Sequence, residues 1–138
     1  MTPIGPITGR DTFHKLEKLC SRNAFSQLMA EGKNINLFPF RLIWAKMELQ
    51  TPFPVQAGFT VPKRNFKKAV HRNRIKRLMR EVYRKNKDIH YPLLMESGKQ
   101  AALLFIYNGN RLPDFSVTEE KIKLLLRRFV EDAKTAAE

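Results

Sequence analysis

The chain has 138 residues, 43% hydrophobic and 28% charged, with 26 Lys and Arg against 13 Asp and Glu, a formal net charge of +13. That length bounds the answer to one domain around one ordinary core, and the charge asks for a polyanionic partner, either nucleic acid or an anionic membrane surface. A lone cysteine, Cys20, excludes an internal disulfide. No run approaches the ~18 apolar residues of a membrane span, and the N-terminal segment lacks an apolar signal core. A soluble, cytoplasmic protein is the expectation.

In chain order, residues 1–12 carry two Pro and two Gly and read as a flexible arm. A first helix is predicted from Ser21, its N-cap, to Glu31, with Gly32 as the stop. Phe25, Leu28 and Met29 give it one apolar face. Residues 35–47 are aromatic and branched as in a strand, although Pro39 puts the strand's start after it, at an edge or at a bulge. Val55–Val61 reads as a second strand pairing back as a hairpin, and Gly58 within it implies a bulge or a close backbone approach.

A second helix is predicted over residues 69–85, with Ile75, Leu78, Met79 and Val82 as its core stripe. At about 100° per residue, Asn73, Arg77, Arg80 and Arg84 fall on the opposite side, with Lys76 at its border. The segment 88–100 is ambiguous, with a helical turn at Leu93–Glu96. Ala101–Tyr107 is a short apolar run suited to a buried strand. Ser116-x-x-Glu119 is a capping-box pattern opening a last helix, whose buried face is Ile122, Leu125, Leu126, Phe129, Val130 and Ala133. The order α-β-β-(β)-α-β-α implies an α+β sandwich, one mostly antiparallel sheet with helices packed on it. The domain spans 13–134, with a tail at 135–138.

The charge is concentrated. From Lys63 to Lys87 there are twelve cations and one acid, Glu81, so this segment holds eleven of the thirteen net charges. Twelve like charges so close together repel, a cost that phosphates offset by neutralising them. Five of the cations are helix arginines, whose planar forks suit phosphate oxygens. Asn73 adds a group able to meet a base edge or a 2′-OH. Against this, His14, His71 and His90 lie in unrelated contexts, and neither HxxxH nor HExxH spacing occurs. No catalytic residue and no metal site of the protein's own is expected; the chain binds.

The string KKAVHRNRIKRLMREVYR, residues 67–84, resembles the hallmark segment of the bacterial ribonuclease P protein family. At its centre is Arg72-Asn73-Arg74, followed by Ile75-Lys76-Arg77-Leu78 and Arg80-Glu81. Thr60-Val61-Pro62-Lys63-Arg64 is similar to the family's strand end and paired-cation turn. Leu19 to Phe25, continuing to Gly32-Lys33, is similar to its first helix, and the likeness spans about residues 16–133. Three departures stand out. A Gly usual between the paired cations and the motif is missing, and the loop Asn65–Lys68 is one residue longer. Met29 replaces a second aromatic, and Asn108 stands where a basic residue is usual.

The resemblance implies a protein subunit that assists a catalytic RNA, itself dependent on Mg²⁺, in removing the 5′ leader of precursor tRNA. It makes the chain part of a ribonucleoprotein endoribonuclease, with the chemistry on the RNA. Expected partners are ribonuclease P RNA and precursor tRNA, with no membrane and no obligate protein partner. Carried over by position, the RNA-contacting set is Lys63, Arg64, Lys67, Lys68, Arg72, Asn73, Arg74, Lys76, Arg77, Arg80 and Arg84. A leader cleft between the first helix and the sheet would be lined by Phe25, Met29, Phe40 and Leu42. The implied fold includes a left-handed βαβ crossover. The charge alone would equally suit a ribosomal or other structural-RNA-binding protein. A DNA-binding protein lacks a helix–turn–helix partner here, and a membrane-surface helix lacks Trp and Phe on its apolar face.

Overall fold

The computed structural model describes residues 15–19 and 21–137. The N-terminal arm, His14 and Cys20 lie outside them. Four strands, β1 (Lys33–Leu37), β2 (Phe40–Lys46), β3 (Val55–Thr60) and β4 (Ala101–Tyr107), form one sheet in the order β1-β2-β4-β3. Helices α1 (Arg22–Glu31), α2 (Ala69–Lys85), α3 (Tyr91–Ser97) and α4 (Phe115–Ala137) accompany it, with short 3₁₀ turns at Lys15–Glu17 and Lys87–Ile89. The α+β sandwich read from the sequence is the fold observed.

Period-two alternation divides the sheet into two faces. Ile35, Phe40, Leu42, Trp44, Val55, Ala57, Leu103, Phe105 and Tyr107 join the larger core with Ile75, Met79, Val82 and Tyr83 of α2 and Ile122, Leu125, Leu126 and Phe129 of α4. Ile43, Ala102, Leu104 and Ile106 point to the other side and meet Leu28 of α1 in a thin second core. All seven residues of β4 are therefore buried, as its continuous apolar run requires.

Four expectations need correction. A strand does begin directly after Pro39, as expected, but the residues before it form a strand of their own. With Phe38, Pro39 forms the two-residue turn between β1 and β2, closed by the pair Leu37↔Phe40. Nor do β2 and β3 make a hairpin, because β4 lies between them, antiparallel to β2 and parallel to β3. The parallel pair demands a crossover, which α2 and α3 supply. Finally, Ser116 does not cap the last helix. Phe115 already begins it, and the Thr118 hydroxyl bonds Asp114 O at 2.8 Å. The helix also continues to Ala137, through most of the segment expected as a tail.

Other local readings match. Ser21 Oγ accepts from Ala24 N–H at 3.2 Å, and the Gly32 N–H closes α1 on Leu28 O. A Cβ at Gly32 would fall 2.3 Å from that oxygen and 2.5 Å from Ile43 Cγ2, so close approach, not an unusual φ, requires glycine there. Gly58 makes room for Leu19 and Leu104 in the same way, without a bulge. In α2 the expected Ile75, Met79 and Val82 are buried, but Tyr83 joins them and Leu78 is only half-buried.

Candidate nucleic-acid interface

The cationic segment is built on a pinned loop. After β3, Val61 and Phe66 are both buried, the Phe66 ring 6.2 Å from that of Tyr107. The Asn65 amide donates to Asn108 O at 3.2 Å, and Asn65 N–H closes a turn on Pro62 O. Anchoring these apolar and amide groups inward leaves Lys63, Arg64, Lys67 and Lys68 exposed.

Helix α2 follows, and its pattern decides which cations are available. Asn73, Arg74 and Arg77 are exposed, while Lys76, Arg80 and Arg84 are half-buried. Arg72 differs from the rest. It stands only about 60° around the helix from Ile75, and its Nη1 donates to Phe66 O at 2.7 Å and Lys67 O at 2.8 Å. Lys68 provides no side-chain cap, and Arg72, by donating to these two carbonyls, ties the loop to the first turn. Arg84 is paired with Glu81, and that hydrogen bond holds the Glu81 carboxyl below its ordinary pKa. The structure thus brings the eleven sequence-predicted residues onto one loop and one helix, with Arg72 and Arg84 already engaged within the chain.

The predicted leader cleft is only half assembled. Phe25 and Met29 on α1 are 43% and 52% exposed, a large apolar area to leave in water. Phe40 and Leu42, however, are 1% and 0% exposed and lie in the larger core on the opposite side of the sheet. They cannot line a cleft beside α1; a one-residue difference in register puts them on the wrong face. What faces α1 is the alternate set. The cross-strand pairs align Asn36, Arg41, Ile106 and Thr60 in one row, next to the row Asn34, Ile43, Leu104 and Gly58. Leu28 and Leu19 pack on the second row, and Arg41 Nε donates to Asn34 Oδ1 at 2.8 Å. The two-residue turn at Pro39 was the signal for this register, because it fixes which side Phe40 takes.

Ionisable groups are also gathered inside, away from this surface. Lys87 Nζ and Glu17 Oε2 are 2.7 Å apart and both buried, and the Tyr91 hydroxyl also donates to Glu17. Tyr83 and His90 are hydrogen-bonded at 3.0 Å. Burial, helped by the charge of Lys87, lowers the His90 pKa from 6.5 to about 3, and burial raises those of Tyr83 and Tyr91. A neutral, enclosed imidazole cannot exchange protons with a bound substrate. Among the described residues no three His, Cys, Asp or Glu gather as metal ligands, and no helix is long and apolar enough to cross a membrane.

Fold and surface together define the class: a small α+β domain that presents a loop-and-helix cationic surface to a polyanion. The ribonuclease P family model matches residues 13–130. The ribonuclease P protein component of Porphyromonas gingivalis is 31% identical over 123 residues, 89% of this chain and 90% of its own length. Among solved structures, the RNase P protein from Thermotoga maritima superimposes with a TM-score of 0.65 at 26% identity, covering 80% of this chain and 96% of that one. The Staphylococcus aureus RNase P protein, 19% identical, shares the fold with a TM-score of 0.53 over 88% of this chain and 95% of its own. The chain belongs to the ribonuclease P protein family. It is accordingly of the class of protein subunits in a ribonucleoprotein endoribonuclease.

Proposed function

We propose that the chain holds ribonuclease P RNA through its basic loop and α2, and steadies the 5′ leader of precursor tRNA beside α1 while the RNA cleaves. The observation that carries the first half is the division of labour along residues 63–84. Phe66, Asn65 and Arg72 fix the loop from within, leaving Lys63, Arg64, Lys67, Lys68, Asn73, Arg74 and Arg77 exposed. Phosphates meeting that surface release counterions and relieve the repulsion among its charges. Mg²⁺ in this reading serves the RNA, and the protein works in the cytoplasm.

For the leader, Phe25 and Met29 form one wall, and the row Asn36, Arg41, Ile106 and Thr60 replaces Phe40 and Leu42 as the floor. An aromatic ring can stack on an unpaired base with little sequence preference, for about 1–3 kcal/mol. Arg41 supplies a cation for the backbone beside it. Such a site strengthens precursor over product, since mature tRNA has no leader to place there.

The test is reconstitution with ribonuclease P RNA at low Mg²⁺ and precursor tRNA as substrate. The protein alone cleaves nothing, and the pair cuts at the mature 5′ end; RNA-only rates unchanged by added protein would sink the proposal. Phe25→Ala then lowers affinity for leader-bearing precursor about 5- to 100-fold, with mature tRNA unaffected. Equal losses for both would remove Phe25 from the leader site.

A further inference from the structure

The turn between β1 and β2 holds the most exposed large apolar side chain among the described residues. Phe38 is 78% exposed, against 67% for Val70 and 52% for Met29. A single surface Phe is ordinary in itself. Its setting is not. The turn has only two residues, so the ladder pair Leu37↔Phe40 holds the backbone on both sides of the ring. Asn108 N–H donates to Pro39 O at 2.7 Å, and Asn108 O in turn accepts from the Asn65 amide at 3.2 Å. Two hydrogen bonds therefore tie the turn to the end of β4 and to the loop that displays Lys63 and Arg64.

Two cations also stand on or against this hairpin. Arg41 stands on the first rungs of β2, and Arg128, exposed on α4, reaches Asn36 O at 3.4 Å. The ring itself packs on no other aromatic among the described residues. A bare aromatic on a fixed backbone, with cations on its own hairpin and on the loop tied to it, has the composition of a single-strand platform, where stacking holds the base and cations hold the backbone. An anionic membrane would need a broader apolar face than one side chain.

We propose that Phe38 stacks on one unpaired nucleobase at the rim of the cationic loop, extending the RNA surface across the β1–β2 turn. The inference rests on the RNA-binding reading above, and the base comes from either the precursor leader or the catalytic RNA. The experiment measures binding of the full chain to three probes: a short unpaired oligoribonucleotide, ribonuclease P RNA, and precursor against mature tRNA in the reconstituted complex. Phe38→Ala weakens the oligonucleotide about 5- to 100-fold, with an unchanged slope against salt because no charge is lost. Phe38→Leu behaves like Phe38→Ala, whereas Phe38→Trp keeps the affinity and its indole is quenched on binding.

A matching loss confined to precursor assigns the base to the leader; a loss with ribonuclease P RNA assigns it there. Wild-type affinity of Phe38→Ala for every probe overturns the proposal, and so does wild-type affinity of Phe38→Leu, which would mean mere apolar contact. Thermal melting checks that each variant is folded, and the exposed ring should leave it unchanged. If the wild-type chain fails to assist cleavage while the oligonucleotide still depends on Phe38, the functional reading falls and the platform stands.

Discussion

Arg72 and Arg77 are five residues apart on one helix, and identical chemistry leads them to different duties. The Arg72 guanidinium is folded back onto Phe66 O and Lys67 O, two carbonyls of the loop that leads into α2. Arg77 is exposed on the side opposite Ile75. Arg72→Ala should therefore cost stability, about 1–3 kcal/mol for charge-assisted hydrogen bonds, and lower the melting temperature before any RNA is added. It should weaken RNA binding through a looser loop. Arg77→Ala should leave melting unchanged and lower the salt dependence of binding to ribonuclease P RNA by about one phosphate contact. Melting curves and salt titrations of the two variants separate the roles. Equal melting temperatures for Arg72→Ala and wild type would contradict the bonding seen here.

At the scale of elements, the segment before α1 behaves as a fifth strand in miniature. Lys18 bridges Ala57 in parallel, and Leu19 N–H donates to Ala57 O at 3.0 Å, so the outer edge of β3 is covered. Its fastening is the buried pair of Glu17 with Lys87, 70 residues apart in the chain. Lys87→Met would remove the cation that neutralises the buried Glu17 carboxylate, at a cost of about 3–5 kcal/mol. Glu17→Leu combined with Lys87→Met should recover much of that loss, since neither charge then remains. Urea unfolding of the single and double variants measures the difference; a double variant no better than Lys87→Met would show that other contacts of the pair dominate.

No pattern in the sequence announced this fastening, because a buried charge pair has no periodicity. The bounds of helix α2 were legible from an apolar stripe and a cationic back at helical spacing, although Tyr83 is buried where Leu78 was expected. Buried β4 was equally plain from its unbroken apolar run. The hairpin at Pro39 was not, because two short strands around a two-residue turn read as one strand with a proline in it. That miss carried into the site, putting Phe40 and Leu42 on the cleft side and leaving Phe38 and Arg41 unnoticed. Strand order was illegible for another reason: β4 enters between β2 and β3 only after the whole crossover, through long-range pairing that local sequence does not encode.

Across the whole molecule, the thick core lies between the sheet and α2, α3 and α4, while α1 rests on a thin one. His90 sits in the thick core, 0% exposed, among Tyr83, Tyr91 and Phe129. Its Nδ1 finds no hydrogen-bond partner among the described residues. Its pKa is about 3 in the folded chain against the ordinary 6.5. As pH falls below about 6.5 the unfolded chain takes up a proton that the folded chain refuses, so stability is full above that pH and declines below it. The slope is about 1.4 kcal/mol per pH unit until the folded group titrates near 3. Between pH 7.5 and pH 4.5 this one residue should remove about 2–3 kcal/mol, a large part of the roughly 5–15 kcal/mol that holds a domain of this kind together. Urea midpoints for wild type and His90→Gln at the two pH values isolate its share from that of the carboxylates, which titrate in both. The wild type should lose more than the variant on acidification; parallel losses would mean that His90 takes up its proton in the folded state as readily as in the unfolded one.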